Sequence, residues 1–312
     1  MNLLKETNFT NLGEKKVGKV RAIYIQSDKI LLVSTDRHSS FDRIIAHIPY
    51  KGQLLNQISA FWFDATRDII PNHVLEVADP NVLVARKCTP LPIEMVVRGY
   101  MTGVTGTSLW VNYSNGQRDF GNFTLPDGMV KNQKLEIPVI NPTTKSNLHD
   151  AAITPKEILE QSLVSKEVWD EVVKKSIELF IRGREIAEKA GFILVDTKYE
   201  FGLDENGKVV LIDEIHTPDS SRFWQKLVYE ERFAKGEEPD YFDKEFLRLW
   251  FKDHCDPYKD EVLPEAPAEM VTELSNRYIQ IYEGITGKKF EPVSEDENII
   301  MRMENNLNKF KI

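Results

Sequence analysis

The chain has 312 residues, with 40 lysines and arginines against 49 aspartates and glutamates, which gives a net charge of −9. Its hydrophobic fraction of 41% and charged fraction of 29% are typical of a globular protein with one large or two ordinary domains. An acidic chain without a basic block is a poor nucleic-acid binder, so an anionic ligand must be held by a few local cations.

The composition also bears on location. No apolar run approaches the roughly 20 residues that cross a bilayer, and Met1 to Glu6 lack the basic and apolar regions of a signal peptide. Only Cys88 and Cys255 are present, which supports neither a disulfide framework nor a zinc site. We therefore expect a cytoplasmic protein with no membrane or nucleic-acid partner, and the sequence leaves its oligomeric state open.

Strand patterns dominate the first 90 residues. Residues 17–25 and 29–34 predict a hairpin with its turn at Ser27-Asp28. Apolar residues at helical spacing predict one helix over 54–65. Two further strands at 82–85 and 93–97 follow, and then a stretch rich in glycine and hydroxyl side chains, 99–128, that reads as loops and short strands.

Long helices belong to the second part of the chain. Thr154-Pro155-Lys156-Glu157 is a capping box with proline at the first helical position. Longer helices are predicted from about Ser165 to Gly191 and from about Pro267 to Gly287. A β-rich lobe at 1–92 and a helix-rich lobe at 93–312 predict an α+β fold with a ligand between the lobes.

A second hairpin brings acidic residues together. Asp196, Lys198 and Glu200 alternate along one face of a predicted strand, and Asn206-Gly207 is the favoured pair for a two-residue turn. That turn places Glu200 opposite Asp213, and two carboxylates so paired repel each other unless a cation neutralises them. Mg²⁺ suits such a pair. The alternative is two solvated carboxylates on an exposed face of the sheet.

Several polar segments have the composition of anion sites. Gly18 to Arg21 combines a glycine with two cations, although it matches neither common nucleotide-binding glycine motif and could be a surface turn. Arg98 to Ser108 offers three glycines, four serine or threonine hydroxyls and an arginine, and could equally be a connecting loop. His216 to Arg222 ends in a guanidinium that suits a phosphate or a carboxylate. Residues 141–145 are a weaker case.

The segment from Thr35 to Asp42 is ambiguous. It follows a predicted strand and could bind a small polar ligand. Two acidic–basic neighbours, Asp36-Arg37 and Asp42-Arg43, favour surface charges when the segment is taken alone. The six histidines show no metal-ligand spacing, and we assign none of them a catalytic role.

Taken together, these segments resemble the SAICAR synthetase family. The matching text is GKVRAIY (18–24), STDRHSSFD (34–42), VVRGYMTGVTGTS (96–108), NPTTKSNLHD (141–150), LVDTKYEFG (194–202) and IDEIHTPDSSRFW (212–224). The resemblance implies a two-lobed ATP-binding fold like that of protein kinases and ATP-grasp enzymes. It also implies a ligase that joins L-aspartate to the carboxylate of carboxyaminoimidazole ribonucleotide (CAIR), with ATP and Mg²⁺. The alternative is a small-molecule kinase with the same two-lobed fold, although the HRD kinase signature is missing.

The resemblance also implies roles for individual residues. Gly18, Lys19, Arg21, Lys145 and the connection at Lys87 would bind ATP, and Glu200 and Asp213 would hold Mg²⁺. The substrate residues implied are Arg98, Ser108 and Arg222 for the CAIR phosphate, Asp219 and Ser220 for its ribose or imidazole, and Asp36 in shaping the site. The catalytic residues implied are Lys198 and Asp196 near the CAIR carboxylate, with Lys19 at the transferred phosphoryl group.

Overall fold

A computed structural model describes residues 3–145, 151–294 and 296–312. Its strands are β1 Glu14–Val17, β2 Arg21–Ile25, β3 Lys29–Ser34, β4 Arg37–Ser40, β5 Arg43–His47, β6 Val74–Asp79, β7 Val82–Arg86, β8 Thr89–Tyr100, β9 Lys134–Ile140, β10 Thr143–Thr144, β11 Phe192–Leu203, β12 Val209–Ile212 and β13 Ser221–Gln225. Its α-helices are α1 Lys51–Ala65, α2 Leu109–Ser114, α3 Pro155–Glu160, α4 Lys166–Lys189, α5 Lys226–Ala234, α6 Glu245–His254, α7 Ala268–Thr286 and α8 Ile299–Leu307.

The strands form antiparallel sheets. An N-terminal sheet has the order β1-β2-β3-β7-β6, and β4 and β5 form a separate hairpin. A central six-stranded sheet is built around β8 and β11, which pair with each other along most of their length. Helices and sheets are thus mixed, as the α+β prediction requires. The predicted boundary between residues 92 and 93 lies inside β8, and the division into lobes stays a prediction.

The N-terminal strands differ from prediction in one respect. The hairpin of β2 and β3 is confirmed, but the segment expected to form one strand over 17–25 contains a turn after Val17. β1 ends there and pairs back on β2, and the Gly18 amide donates to the Arg21 carbonyl at 2.8 Å. Gly18 to Arg21 therefore forms the tip of a hairpin.

Capping residues set the helices as predicted. Thr154 and Glu157 form the reciprocal capping box of α3, Ser165 caps α4, and α7 ends at Gly287 in the left-handed conformation. The sequence reading missed α2, α5, α6 and α8. Of these, α2 lies within the stretch that was read as loops and short strands, where that prediction is wrong.

The predicted register of the β11–β12 hairpin is also wrong. Glu200 pairs with Ile212, so Asp213 lies one residue beyond its expected position opposite Glu200. The loop has three residues, because Asp204 pairs with Lys208 through a backbone hydrogen bond of 2.9 Å. Gly207 alone in this loop has a positive φ, +75°, whereas the predicted two-residue turn needs positive φ at both positions.

The core joins both parts of the chain. One hydrophobic cluster contains residues of α1, β8, α4, β11 and α7. A second cluster lies on the other face of the N-terminal sheet, where Ile299, Met303 and Leu307 of α8 pack against residues such as Leu31 and Val84. No helix in the described ranges is both long and apolar enough to cross a membrane.

Candidate active site

A polar cavity lies beside the central sheet, where β8 and β11 meet the loop after β12 and the start of α6. It is lined by Glu94, Val96, Arg98, Thr105, Thr107, Ser108, Thr143, Asp196, Thr197, Lys198, Pro218, Asp219, Ser220, Ser221, Arg222, Asp243, Lys244 and Arg248. Seven sequence-predicted residues are among them, namely Arg98, Ser108, Asp196, Lys198, Asp219, Ser220 and Arg222.

Asp196 lies between two arginines because strand pairing places them there. On β11 it is the cross-strand neighbour of Arg98 on β8 and of Arg222 on β13. Arg222 Nη1 donates to Asp196 Oδ2 at 2.5 Å, and Arg98 Nη1 lies 3.8 Å from the same oxygen. Burial, with the nearby Arg222 charge, lowers the pKa of Arg98 to about 10, although Asp196 opposes this shift. Two guanidinium groups that share one carboxylate can bind a further anion.

The loop after β8 adds hydroxyl groups to this arginine pair. Ser108 is buried and its Oγ donates to the carbonyl of Thr105. Gly103 has φ +102°, and a Cβ at that position would lie 2.4 Å from Ser108 Cβ and 3.0 Å from Arg222 Nη2. Only glycine therefore lets the loop close against the serine and the arginine.

Lys198 is held between two carboxylates. Its Nζ lies 2.9 Å from Glu94 Oε1 and also donates to Glu200. Glu200 on β11 is the cross-strand neighbour of Glu94 on β8, whereas Ile212 takes the position on β12 that the sequence reading gave to Asp213. Burial opposes the charge of Lys198, but Glu200, Asp213 and Glu94 raise its pKa above its usual value. Lys198 is consequently a fixed cation.

Asp213 nevertheless joins this cluster from the end of β12. It has φ +70° and accepts a hydrogen bond from Arg21 of β2. Burial raises the pKa of Asp213 to about 6, against the effect of Arg21 and with the help of Glu200. The carboxylates of Asp213 and Glu200 therefore repel each other, although the two residues are not a cross-strand pair.

Lys145 reaches the carboxylate of Glu200. Its ammonium forms an ion pair with Glu200. Burial would raise the pKa of Glu200, but Lys198 and Lys145 together lower it well below its usual value. The rest of the predicted segment after Lys145, residues 146–150, lies outside the described residues.

Asp219 lies at the other side of the cavity, and its side chain is almost fully buried. Lys51 Nζ and Lys244 Nζ lie 2.7 and 3.0 Å from its Oδ2, and the hydroxyl of Tyr278 donates to Oδ1 at 3.2 Å. Burial alone would raise the pKa of Asp219, but Lys244 and Lys51 hold it well below its ordinary value. Asp219 is therefore a fixed anion that can accept a hydrogen bond from a ligand.

Lys19 and Lys87 lie away from the cavity lining. Lys19, on the tip between β1 and β2, is exposed and forms an ion pair with Asp42. Lys87 is exposed in the connection from β7 to β8, where its amide donates to the carbonyl of Asp28 at 3.0 Å. Both stay predictions for an ATP site bordered by this tip and this connection.

Asp36 and Arg37 are not the surface charges that the local sequence favours. Both are buried. Asp36 accepts hydrogen bonds from the amides of Leu4 and Gly52, at 2.7 and 2.9 Å, and it is not among the residues that line the cavity. Its observed role is to join three segments of backbone, so the structure does not bring it together with the other predicted substrate residues.

Arg37 supports the hairpin tip formed by Gly18 to Arg21. Its Nη2 donates to the carbonyls of Gly18 and Arg21, at 3.0 and 3.2 Å. The arginine thus fixes the backbone of the segment predicted to cover ATP phosphates. Sequence reasoning missed this role because the bonds go to main-chain carbonyls.

Sequence reasoning also missed the contribution of α6 and of the two residues before it. Asp243, Lys244 and Arg248 line the cavity, and Arg248 Nη1 donates to Glu245 at 3.3 Å. An available signal was the three consecutive charged residues 243–245 at the start of an amphipathic helix that buries Leu247 and Phe251. With its buried arginines, lysines and carboxylates, the cavity has the side chains of a site for a small phosphorylated or carboxylated molecule.

Comparison with known proteins identifies the family of the chain. The family model described as SAICAR synthetase matches residues 14–265. A phosphoribosylaminoimidazole-succinocarboxamide synthase of Legionella pneumophila (strain Paris) is 56% identical over 287 residues, 92% of each chain. The solved SAICAR synthase from Saccharomyces cerevisiae, complexed with SAICAR, superposes with a TM-score of 0.78 at 30% identity, covering 92% of this chain and 99% of that one. A SAICAR synthetase in complex with ADP has a TM-score of 0.68 at 27% identity, covering 89% and 100%.

The chain is therefore an enzyme with a mixed α/β fold. It belongs to the SAICAR synthetase family. Enzymes of this family form SAICAR in purine biosynthesis, and the similarities do not favour the kinase alternative.

Proposed function

We propose that this chain joins the amine of L-aspartate to the carboxylate of CAIR, converting ATP to ADP and phosphate, with Mg²⁺ as the metal. The observation that carries the proposal is the cavity itself, in which Arg98 and Arg222 share one carboxylate beside the fixed cation Lys198. The relatives named above, and the solved structures complexed with SAICAR and with ADP, support the same chemistry.

The chemistry requires activation of a carboxylate. An amine does not displace oxygen from a carboxylate at neutral pH, because the oxygen is a poor leaving group. Transfer of the γ-phosphoryl group of ATP to a CAIR carboxylate oxygen forms an acyl phosphate and releases ADP. Attack of the aspartate nitrogen on the carbonyl carbon then forms the C–N bond, the C–O bond to phosphate breaks, and the amine proton is lost. Such reactions depend mainly on positioning and charge neutralisation.

The cavity residues supply the positions for CAIR. Arg98, Ser108 and Arg222 bind its phosphate, where two guanidinium groups and a hydroxyl converge. Asp219 and Ser220 accept and donate hydrogen bonds at the ribose or imidazole. Lys198 and Asp196 lie near the reacting carboxylate, where the ammonium stabilises the negative charge that develops on oxygen.

The ATP site is proposed on the N-terminal side of the cavity. Gly18, Lys19 and Arg21 lie at the phosphates with Lys145, and the adenine lies at the connection from Lys87 to Leu91. Arg37 supports this arrangement, since it fixes the carbonyls at both ends of the hairpin tip. The proposal implies a two-lobed nucleotide fold like that of protein kinases and ATP-grasp enzymes, with lobes at 1–92 and 93–312.

Glu200 and Asp213 fit a magnesium ion. They are repelling carboxylates, now held by Lys145, Lys198 and Arg21, and Mg²⁺ prefers one or two carboxylates completed by water and phosphate oxygens. Over the described parts of the chain, no group of three or more histidine, cysteine or acidic side chains could hold a metal ion, so the proposed ion depends on these two carboxylates with water and phosphate oxygens. When bound, the ion neutralises phosphate charge.

The test is release of ADP from purified protein supplied with ATP, Mg²⁺ and CAIR, with and without L-aspartate. We expect stoichiometric ADP, phosphate and SAICAR only when all substrates are present. A stable phosphorylated product formed without aspartate would identify a kinase instead. No turnover under any of these conditions would contradict the proposal.

We also propose a cytoplasmic location and small-molecule partners only.

The metal assignment has its own test in Asp213→Asn, which removes one ligand charge with little change in volume. We expect this variant to fold, as judged by circular dichroism, and to lose ATP turnover. Wild-type kcat at limiting Mg²⁺ would show that Asp213 does not hold the ion.

A further inference from the structure

Helix α7 lies beyond the family match, which ends at residue 265, and yet it reaches the cavity. Tyr278 on this helix is fully buried, and its hydroxyl donates to Oδ1 of Asp219 at 3.2 Å. Asp219 lines the cavity. A segment outside the family match therefore contacts a residue that we place at the substrate.

The partners of Asp219 divide between its two oxygens. Lys51 and Lys244 both lie on Oδ2, whereas the tyrosine hydroxyl lies on Oδ1. A carboxylate has about four acceptor positions, two on each oxygen. The two lysines fill those of Oδ2, and the tyrosine fills one of those of Oδ1. One acceptor position on Oδ1 is then left for a hydroxyl or amino group of a ligand.

We propose that Tyr278 is a positioning residue that fixes this acceptor position for the ribonucleotide substrate. The tyrosine hydroxyl occupies one side of Oδ1 and prevents the carboxylate from turning about its Cβ–Cγ bond. The inference rests on the proposed function, since it takes CAIR as the ligand of Asp219. It makes α7 a part of substrate recognition as well as of the core.

Helix α7 also provides a matched control. Tyr282 lies one turn further on, and its hydroxyl donates to Gln57 Oε1 at the same distance of 3.2 Å. Gln57 and Tyr282 do not line the cavity. Tyr278→Phe and Tyr282→Phe each remove one hydroxyl and keep the ring, so they differ chiefly in whether the lost bond leads to Asp219.

The experiment compares steady-state kinetics of both variants with the wild type, using CAIR, ATP and L-aspartate in turn as the varied substrate. We expect Tyr278→Phe to raise the KM for CAIR about tenfold, as for loss of one hydrogen bond to a charged group, with kcat and the KM for ATP within about twofold of wild type. Tyr282→Phe should leave all three KM values unchanged.

A double-mutant cycle shows whether the tyrosine acts through Asp219. In an Asp219→Asn background we expect Tyr278→Phe to add little further loss of CAIR affinity, measured by calorimetric titration. The inference is overturned if Tyr278→Phe matches Tyr282→Phe in every KM, if its effect persists undiminished in the Asp219→Asn background, or if it alone fails to fold. Failure of the proposed function is distinct, because the wild-type protein would then release no ADP with CAIR and aspartate.

Discussion

Replacement of Gly103 by alanine tests the proposed phosphate site directly. The added Cβ would lie 2.4 Å from Ser108 Cβ, whereas ordinary contacts of a Cβ begin near 3.4 Å. Ser108 or the loop backbone must then move by about 1 Å, the difference between these two distances, and Arg222 Nη2, at 3.0 Å, must move with it. Two of the three proposed phosphate ligands are displaced by one methyl group.

Two effects contribute to the expected magnitude. Alanine at a positive φ costs roughly 1–2 kcal/mol of stability. A displacement of about 1 Å at a bound substrate can lower kcat/KM about 100-fold. We therefore expect Gly103→Ala to fold with a modestly lower melting temperature, and to lose about two orders of magnitude in kcat/KM for CAIR while its KM for ATP stays near that of the wild type.

Two other glycines separate these effects. Gly116 has φ +100° with nothing within 4 Å of a built Cβ, and Gly106, in the same loop as Gly103, also has open space around it. Gly116→Ala should lose stability without loss of CAIR binding, and Gly106→Ala should change neither. The assay is ADP release against CAIR concentration, alongside thermal unfolding. If Gly103→Ala binds CAIR as well as Gly116→Ala does, the phosphate is bound elsewhere.

Two further predictions concern buried charges. Arg302 donates two hydrogen bonds to Asp79, each of 3.0 Å, and the side chain of Asp79 is fully buried. Arg302→Met should therefore lower the free energy of unfolding by about 3–5 kcal/mol without changing kcat. A loss below about 1 kcal/mol in urea titrations would contradict this. Burial and Glu245 raise the pKa of Asp243 to about 7 against the effect of Arg222. Because the unfolded-state pKa is about 3.9, the folded state binds this proton more tightly, and the contribution of Asp243 to stability falls as pH rises from about 4 to 7, by at most about 4 kcal/mol. The unfolding free energy of the wild type minus that of Asp243→Asn should therefore decrease as pH rises over this range. A difference that stays constant with pH would refute the raised pKa of Asp243.

The helices show what the sequence predicts well. α3, α4 and α7 have their capping residues at the predicted ends, because capping hydrogen bonds are local and each needs only a few neighbouring residues. The alternation of Asp196, Lys198 and Glu200 on one strand face is equally local, and β11 confirms it through the contact of Lys198 with Glu200.

The β11–β12 register shows how a side chain can overrule a turn preference. Asp204 Oδ1 accepts hydrogen bonds from the amides of Asn206 and Lys208, each at 2.9 Å. This carboxylate organises a three-residue loop, and only Gly207 needs a positive φ. The Asn-Gly preference alone could not reveal it, since the competing bonds come from a residue outside the pair.

Buried charges were the least predictable part of the site. Asp36 and Arg37 look like surface residues in the sequence, yet both are buried because main-chain amides and carbonyls of distant segments satisfy them. The role of Glu94 likewise depends on its cross-strand neighbour Glu200. Long-range pairing of this kind has no periodic signal along the chain.

The position of α8 has a consequence for synthesis of the chain. The apolar face of the N-terminal sheet, which includes Leu31 and Val84, is covered by Ile299, Met303 and Leu307. Ribosomes complete that sheet long before they reach the helix that covers it. The nascent protein therefore exposes the apolar face of this sheet throughout most of translation. Truncated products that end before residue 299 should be targets for chaperones and proteases.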